Sequence, residues 1–138
     1  MATDHVKLYV DEFAIVSYSP SEGVFRFART TAPYPSIEAA QASYDALLTV
    51  LSAPHAATKS PRLLVDMRAA PARNDPPFEE MQKRYRGQFL KQFVRVATLL
   101  TSRAGLLQVQ RYGREDGRRD IRGFLNEEEA VQFLRSDD

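Results

Sequence analysis

Three short strand-like segments open this chain, and every later strand-like segment is separated from the next by a helical one. That alternation limits the fold more than any other feature of the sequence. Val6-Lys7-Leu8-Tyr9-Val10 alternates apolar and polar side chains, the pattern of a half-buried strand. Ala14-Ile15-Val16-Ser17-Tyr18 is β-branched and aromatic. Val24-Phe25-Arg26-Phe27-Ala28 follows the turn signal Ser19-Pro20-Ser21-Glu22-Gly23. Short polar turns join the three, which predicts an antiparallel meander.

A helix is expected over Ile37 to Leu51, with Ser36 as its N-cap and Glu38 in its first turn. Ile37, Ala40, Tyr44, Leu47, Leu48 and Leu51 recur at three- and four-residue steps and form one apolar face. Arg62-Leu63-Leu64-Val65-Asp66-Met67 holds consecutive apolar residues, the mark of a strand buried on both faces. A second helix starts near Pro76 and Pro77, capped by Asn74 or Asp75. Its stripe is Phe78, Met81, Tyr85, Phe89 and Phe93, and Gly87 interrupts it. Val94 to Leu100 reads as the next strand, Ala104 to Tyr112 as a short helix, and Ile121 to Leu125 as a last strand. The final helix opens at Asn126, with Glu129 three residues on in the capping-box arrangement and Ala130, Phe133 and Leu134 inward.

The order β-β-β-α-β-α-β-α-β-α predicts an α/β fold. It comprises a mixed β-sheet with an antiparallel N-terminal meander, followed by right-handed β-α crossovers, with helices packed on the sheet. A chain of 138 residues suits one domain, 1–138, whose acidic end 135–138 is free to fray. Cysteine is absent and there are two histidines, His5 and His55, so thiolate metal sites, disulfides and a cysteine nucleophile are excluded. No basic region followed by a long apolar run stands at the start, and no apolar run nears the roughly 18 residues of a membrane helix. A cytoplasmic address is the default expectation.

Charge is uneven along the chain. Residues 1–60 carry 4 basic and 6 acidic side chains, residues 61–125 carry 14 and 7, and residues 126–138 carry 1 and 5. A basic middle of +7 suits anions or nucleic acid; solvated faces that neutralise each other explain it as well.

Three segments together resemble the SpoIIAA-like group, which includes the STAS domains and the STAS/SEC14-like bacterial proteins. One is the helix Ile37 to Leu51 leading by a loop into Leu63-Leu64-Val65-Asp66-Met67-Arg68. Another is Phe93-Val94-Arg95-Val96-Ala97, and the third is the ending Phe124-Leu125-Asn126-Glu127-Glu128-Glu129-Ala130-Val131-Gln132-Phe133-Leu134. The resemblance implies regulation or ligand binding rather than catalysis. Many STAS domains dock on a partner through the loop and helix after the central strand, and some are phosphorylated there on serine or threonine. This sequence departs from that pattern, with neither residue between Pro61 and Ala97. Asp75 lies near where such a group would sit; as a fixed carboxylate it is a constant charge, and an ordinary N-cap explains it equally.

Catalytic signatures are missing: there is no G-x-S-x-G elbow and no phosphate-cradling glycine run. The acids of Glu79-Glu80 and Glu127-Glu128-Glu129 suit helix first turns. Asp66 ends a buried strand at the carboxyl edge of the sheet, where ligands of open α/β sheets gather; it equally suits pairing with Arg68. Arg68 and Arg73 follow that strand and Arg103 follows the next, so parallel strands would bring all three to one edge. The candidate partner- or anion-binding set is therefore Asp66, Arg68, Arg73, Asn74, Asp75 and Arg103, with no catalytic, cofactor or metal residue. The leading expectation is a non-catalytic regulatory or scaffolding domain that binds another protein. The alternatives are a small-molecule binder of a lipid or nucleotide and, less expected, a nucleic-acid binder. An exposed edge in the first strands makes a homo-oligomer plausible.

Overall fold

Leu63 and Leu64 are neighbours in sequence, are both buried, and belong to two different cores. A strand points successive side chains to opposite faces, so this segment must run between two packed layers. The computed structural model describes residues 6–51, 61–71, 75–115 and 121–136 and shows that arrangement. The elements are β1 (Val6–Val10), β2 (Ala14–Ser19), β3 (Val24–Arg29), α1 (Ile37–Leu51), β4 (Arg62–Asp66), α2 (Pro76–Leu90), β5 (Arg95–Leu99), α3 (Arg103–Glu115), β6 (Ile121–Phe124) and α4 (Glu127–Arg135).

One six-stranded sheet carries them in the order β1-β2-β3-β4-β5-β6. The first three strands pair antiparallel and β3 to β6 pair parallel. The expected mixed sheet with its meander is therefore present. Gly23 closes the β2–β3 turn at φ 69°, a conformation that favours glycine. Asp11 fixes the β1–β2 turn. Its carboxylate accepts from the amides of Phe13 and Ala14 at 2.7 and 2.8 Å and from the hydroxyls of Tyr9 and Ser43 at 2.7 and 2.8 Å. Burial would raise this carboxyl, but those hydrogen bonds more than offset it and hold it below the usual range. Tyr9 moves the other way: burial, the hydrogen bond to Asp11 and its charge push the phenol up to about 12. Because Ser43 sits on α1, the same carboxylate ties the meander to that helix.

The larger core lies under α1 and α2. Phe25, Phe27, Leu63 and Val96 of the sheet meet Tyr44, Leu47, Leu51, Phe78 and Met81 of the two helices. The smaller core lies on the other face, where Ala130 and Leu134 of α4 cover Val24, Leu64, Ala97 and Leu99. Arginines clamp the C-terminal end of α4. Arg62 donates to the carbonyls of Leu134 and Ser136, and Arg95 donates to that of Phe133 at 2.8 Å. These cations satisfy carbonyls that a helix end leaves open and face its negative pole. At the other end, Asn126 Oδ1 accepts from the Glu129 amide at 3.1 Å, as the sequence predicts.

Some boundaries differ from the sequence reading. The second helix ends at Leu90, so Phe93 enters the core from the following turn rather than from the helical stripe. Val94 is 45% exposed and lies outside β5. The third helix runs past the expected Ala104 to Tyr112 at both ends, starting where Ser102 Oγ accepts from the Gly105 amide at 3.1 Å. The start of α2 uses Asp75, whose carbonyl accepts from the amides of Phe78 and Glu79 at 3.1 Å each; Asn74, the other candidate cap, lies outside the described residues.

Two glycines make a paired test. A Cβ added at Gly87 of α2 would meet nothing within 4 Å, so no close backbone approach explains the residue. Gly123 of β6 is the opposite case, with Leu106 Cδ2 at 3.0 Å and Leu100 Cδ1 at 3.1 Å from the position its Cβ would take. Gly87→Ala should stabilise the protein by about 0.5–1 kcal/mol through helix propensity. Gly123→Ala should destabilise it through crowding. Urea unfolding of both variants checks the opposite signs, and a loss of stability in Gly87→Ala would contradict the open geometry.

Candidate functional site

The carboxyl ends of β3, β4, β5 and β6 share one edge of the sheet, where open α/β sheets bind ligands. Strand alternation divides that edge between its two faces. Arg26 and Asp66 point to the α4 face, and Arg29, Val65, Met67 and Thr98 point to the face under α1, α2 and α3. Each face carries its own polar arrangement.

On the α4 face, two arginines and two carboxylates form a closed set. Arg68 grips Asp66 with its backbone amide at 3.1 Å, Nε at 3.0 Å and Nη2 at 2.8 Å. Its Nη2 also reaches Glu127 at 2.9 Å. Arg26 spans the same pair, 2.8 Å from Asp66 and 3.3 Å from Glu127. Burial alone would raise the Asp66 carboxyl; the hydrogen bonds and charge of Arg68, with the charge of Arg26, hold it below its ordinary value. The Arg26 hydrogen bond, aided by both guanidinium charges and opposed by burial, holds Glu127 down as well. The hydrogen bond from Arg68 to Asp66 outweighs burial and, with the two carboxylate charges, raises the pKa of Arg68. The four formal charges sum to zero, so the α4 face of the edge offers little field to an incoming anion.

The sequence candidates therefore separate. Asp66 and Arg68 lie together, but as partners of each other. Arg103 opens α3, is exposed, and makes no hydrogen bond or ion pair among the described residues. Asp75 stands at the start of α2. Arg73 and Asn74 lie outside the described residues. The basic middle of the chain is likewise spread over separate tasks. Arg62 and Arg95 cap α4, Arg122 lies 5.2 Å from the Phe133 ring centroid, and Arg111 pairs with Glu115 at 3.5 Å. Among the described residues no group of three His, Asp or Glu side chains could hold a metal ion. No described helix is long and apolar enough to cross a membrane.

The opposite face holds a cavity of about 320 Å³ that the sequence reading did not anticipate. Its floor is Phe27, Leu63, Val65, Val96 and Ile121, and its walls come from Tyr44 of α1, Phe78 and Gln82 of α2 and Val109 and Tyr112 of α3. The space follows from helix packing. α2 packs on α1, α3 packs on β6, and the gap between them lies over β4 and β5. Arg29, Arg86, Thr98 and Gln108 are among the polar residues on an otherwise largely apolar lining. Arg86 lies over the Tyr112 ring at 4.0 Å. Arg29 is 7% exposed and lies over the Tyr34 ring at 4.1 Å. It was legible by counting in twos from Phe25 and Phe27, but the sequence reading ended the strand at Ala28.

No family model matches the chain, and no curated protein matches it in sequence. A solved structure does match, that of an uncharacterized protein from the DUF3478 family with a SpoIIAA-like fold, from Shewanella loihica PV-4. The TM-score is 0.61 over 97% of this chain and 98% of that one, at 12% identity. The fold is SpoIIAA-like. The expectation drawn from the three sequence segments therefore holds at the level of architecture. In this SpoIIAA-like frame the loop after the central strand carries Arg68, turned back onto Asp66 and Glu127.

Both carboxyls of the ion set are depressed in the folded state. Their contribution is complete above the unfolded carboxylate range of about 4 and is lost as pH falls through their folded values. Asp66→Asn should cost about 1–3 kcal/mol at pH 7, since Asp66 is 13% exposed and its loss strips two arginines. Glu127→Gln, at a site 44% exposed, should cost under about 1 kcal/mol. Urea unfolding between pH 7 and pH 3 should also show a shallower acid loss in Asp66→Asn than in the parent. Parallel curves would show that Asp66 does not titrate in this role.

Proposed function

We propose that this protein is a non-catalytic binding module whose working site is the cavity under α1, α2 and α3. The supporting observation is the cavity itself: about 320 Å³, mostly apolar, with a few polar side chains, at the carboxyl edge of a parallel sheet. Its volume suits a small organic molecule. This favours the small-molecule alternative of the sequence reading over docking through Arg68, because that arginine is already committed to Asp66 and Glu127.

A regulatory role remains part of this reading. Ligand occupancy at the α2–α3 gap would be communicated through α2, the element that follows the Arg68 loop. A protein partner that reads the filled state is the natural extension of the regulatory expectation. Nucleic-acid binding gains little, since Arg62 and Arg95 serve α4, Arg111 serves Glu115, Arg68 serves Asp66 and Arg86 lies over an aromatic ring, which leaves Arg103 among the few described arginines of the basic middle without such a task.

The test uses a neutral fluorescent probe, N-phenyl-1-naphthylamine, titrated into the full chain. Its emission should rise saturably with one site per chain. Val109→Phe should weaken binding about tenfold or more by filling the space, with circular dichroism unchanged. Leu107→Ala, at a residue 65% exposed and outside the lining, should leave binding as it was. Equal binding by the parent and Val109→Phe would place the probe elsewhere.

A further inference from the structure

Arg29 is a buried cation that has no carboxylate partner among the described residues. It is 7% exposed, and its Nε and Nη2 donate to the backbone carbonyls of Phe13 at 2.9 Å and Ala32 at 3.1 Å. Those acceptors are neutral. Tyr34 offers a ring face at 4.1 Å, which positions the guanidinium without cancelling its charge. Asp11 is engaged by Tyr9, Ser43 and two backbone amides, and forms no ion pair with Arg29. A guanidinium has five N–H groups, and two of them have acceptors among the described residues.

The rest of the cavity has the same sign. Arg29 lines it from β3 and Arg86 from α2, and no aspartate or glutamate is among its described lining residues. A buried charge is costly unless it is paired. An apolar cavity walled by two arginines and no acid is therefore complementary to a molecule with an apolar body and a negative end. On the reading that the cavity is the working site, we infer that its ligand is a small apolar carboxylate whose acid group pairs with Arg29. The planar guanidinium fork matches a carboxylate, and the small volume favours that compact head over bulkier anions.

Competition against N-phenyl-1-naphthylamine tests this with decanoate and 1-decanol, which share an apolar chain and differ in charge at one end. A merely greasy cavity would favour the alcohol, since a carboxylate loses more hydration on entry. Decanoate should instead displace the probe at a concentration about tenfold or more lower, the scale of one charge-assisted hydrogen bond. Arg29→Met should remove that preference while still binding the neutral probe. Arg29 also holds two carbonyls, so if that variant fails to fold, the comparison of the two competitors on the parent protein decides alone. Decanol displacing the probe as well as decanoate would overturn the inference and leave the cavity reading standing. No probe binding, together with no heat on titrating decanoate, would overturn both.

Discussion

β4 can exist only as a strand buried on both sides, and the architecture is arranged around that requirement. A backbone with Leu63 on one face and Leu64 on the next must have a layer above and a layer below. The sequential strand order β3 to β6 goes with α1, α2 and α3 lying on the same face. Only the chain after β6 is left to cover the other. That task falls to α4, a helix of nine residues, too short to be stable alone. Its ends are accordingly tied to the sheet, by Glu127 to Arg26 and Arg68 and by its last carbonyls to Arg62 and Arg95. Three arginines on three strands, with Arg68 on the loop after β4, thus hold in place the helix that completes the second core.

The elements were legible because their signals are local. Ser36 caps α1, with its Oγ accepting from the Ala39 amide at 3.1 Å, and Asn126 caps α4. The stripe Ala40, Tyr44, Leu47 and Leu51 is buried as its spacing implies. Phe93 was harder, since a residue that continues a helical period can also reach the core from the turn beyond it.

The site was less legible, for a physical reason. A sequence shows that Arg68, Arg73 and Arg103 follow strands, but it does not show which carboxylate each one finds. Glu127 lies 59 residues after Arg68 and reads naturally as a first-turn acid beside the helix dipole; it performs both roles. Arg29 carried a signal that was missed, an arginine in step with Phe25 and Phe27 on the buried side of a strand. The cavity had no signal of its own. It arises from the spacing between two helices, and no single residue encodes that.

The crowding around Gly123 has a consequence for the cavity beside it. Leu106 and Val109 of α3 approach the backbone of β6 there so closely that a methyl group in place of the glycine hydrogen would press on both. Val109 also lines the cavity, so a change in the last strand is felt on the α3 wall. The separation of α3 from the sheet, and with it the width of the space, depends on that position staying glycine.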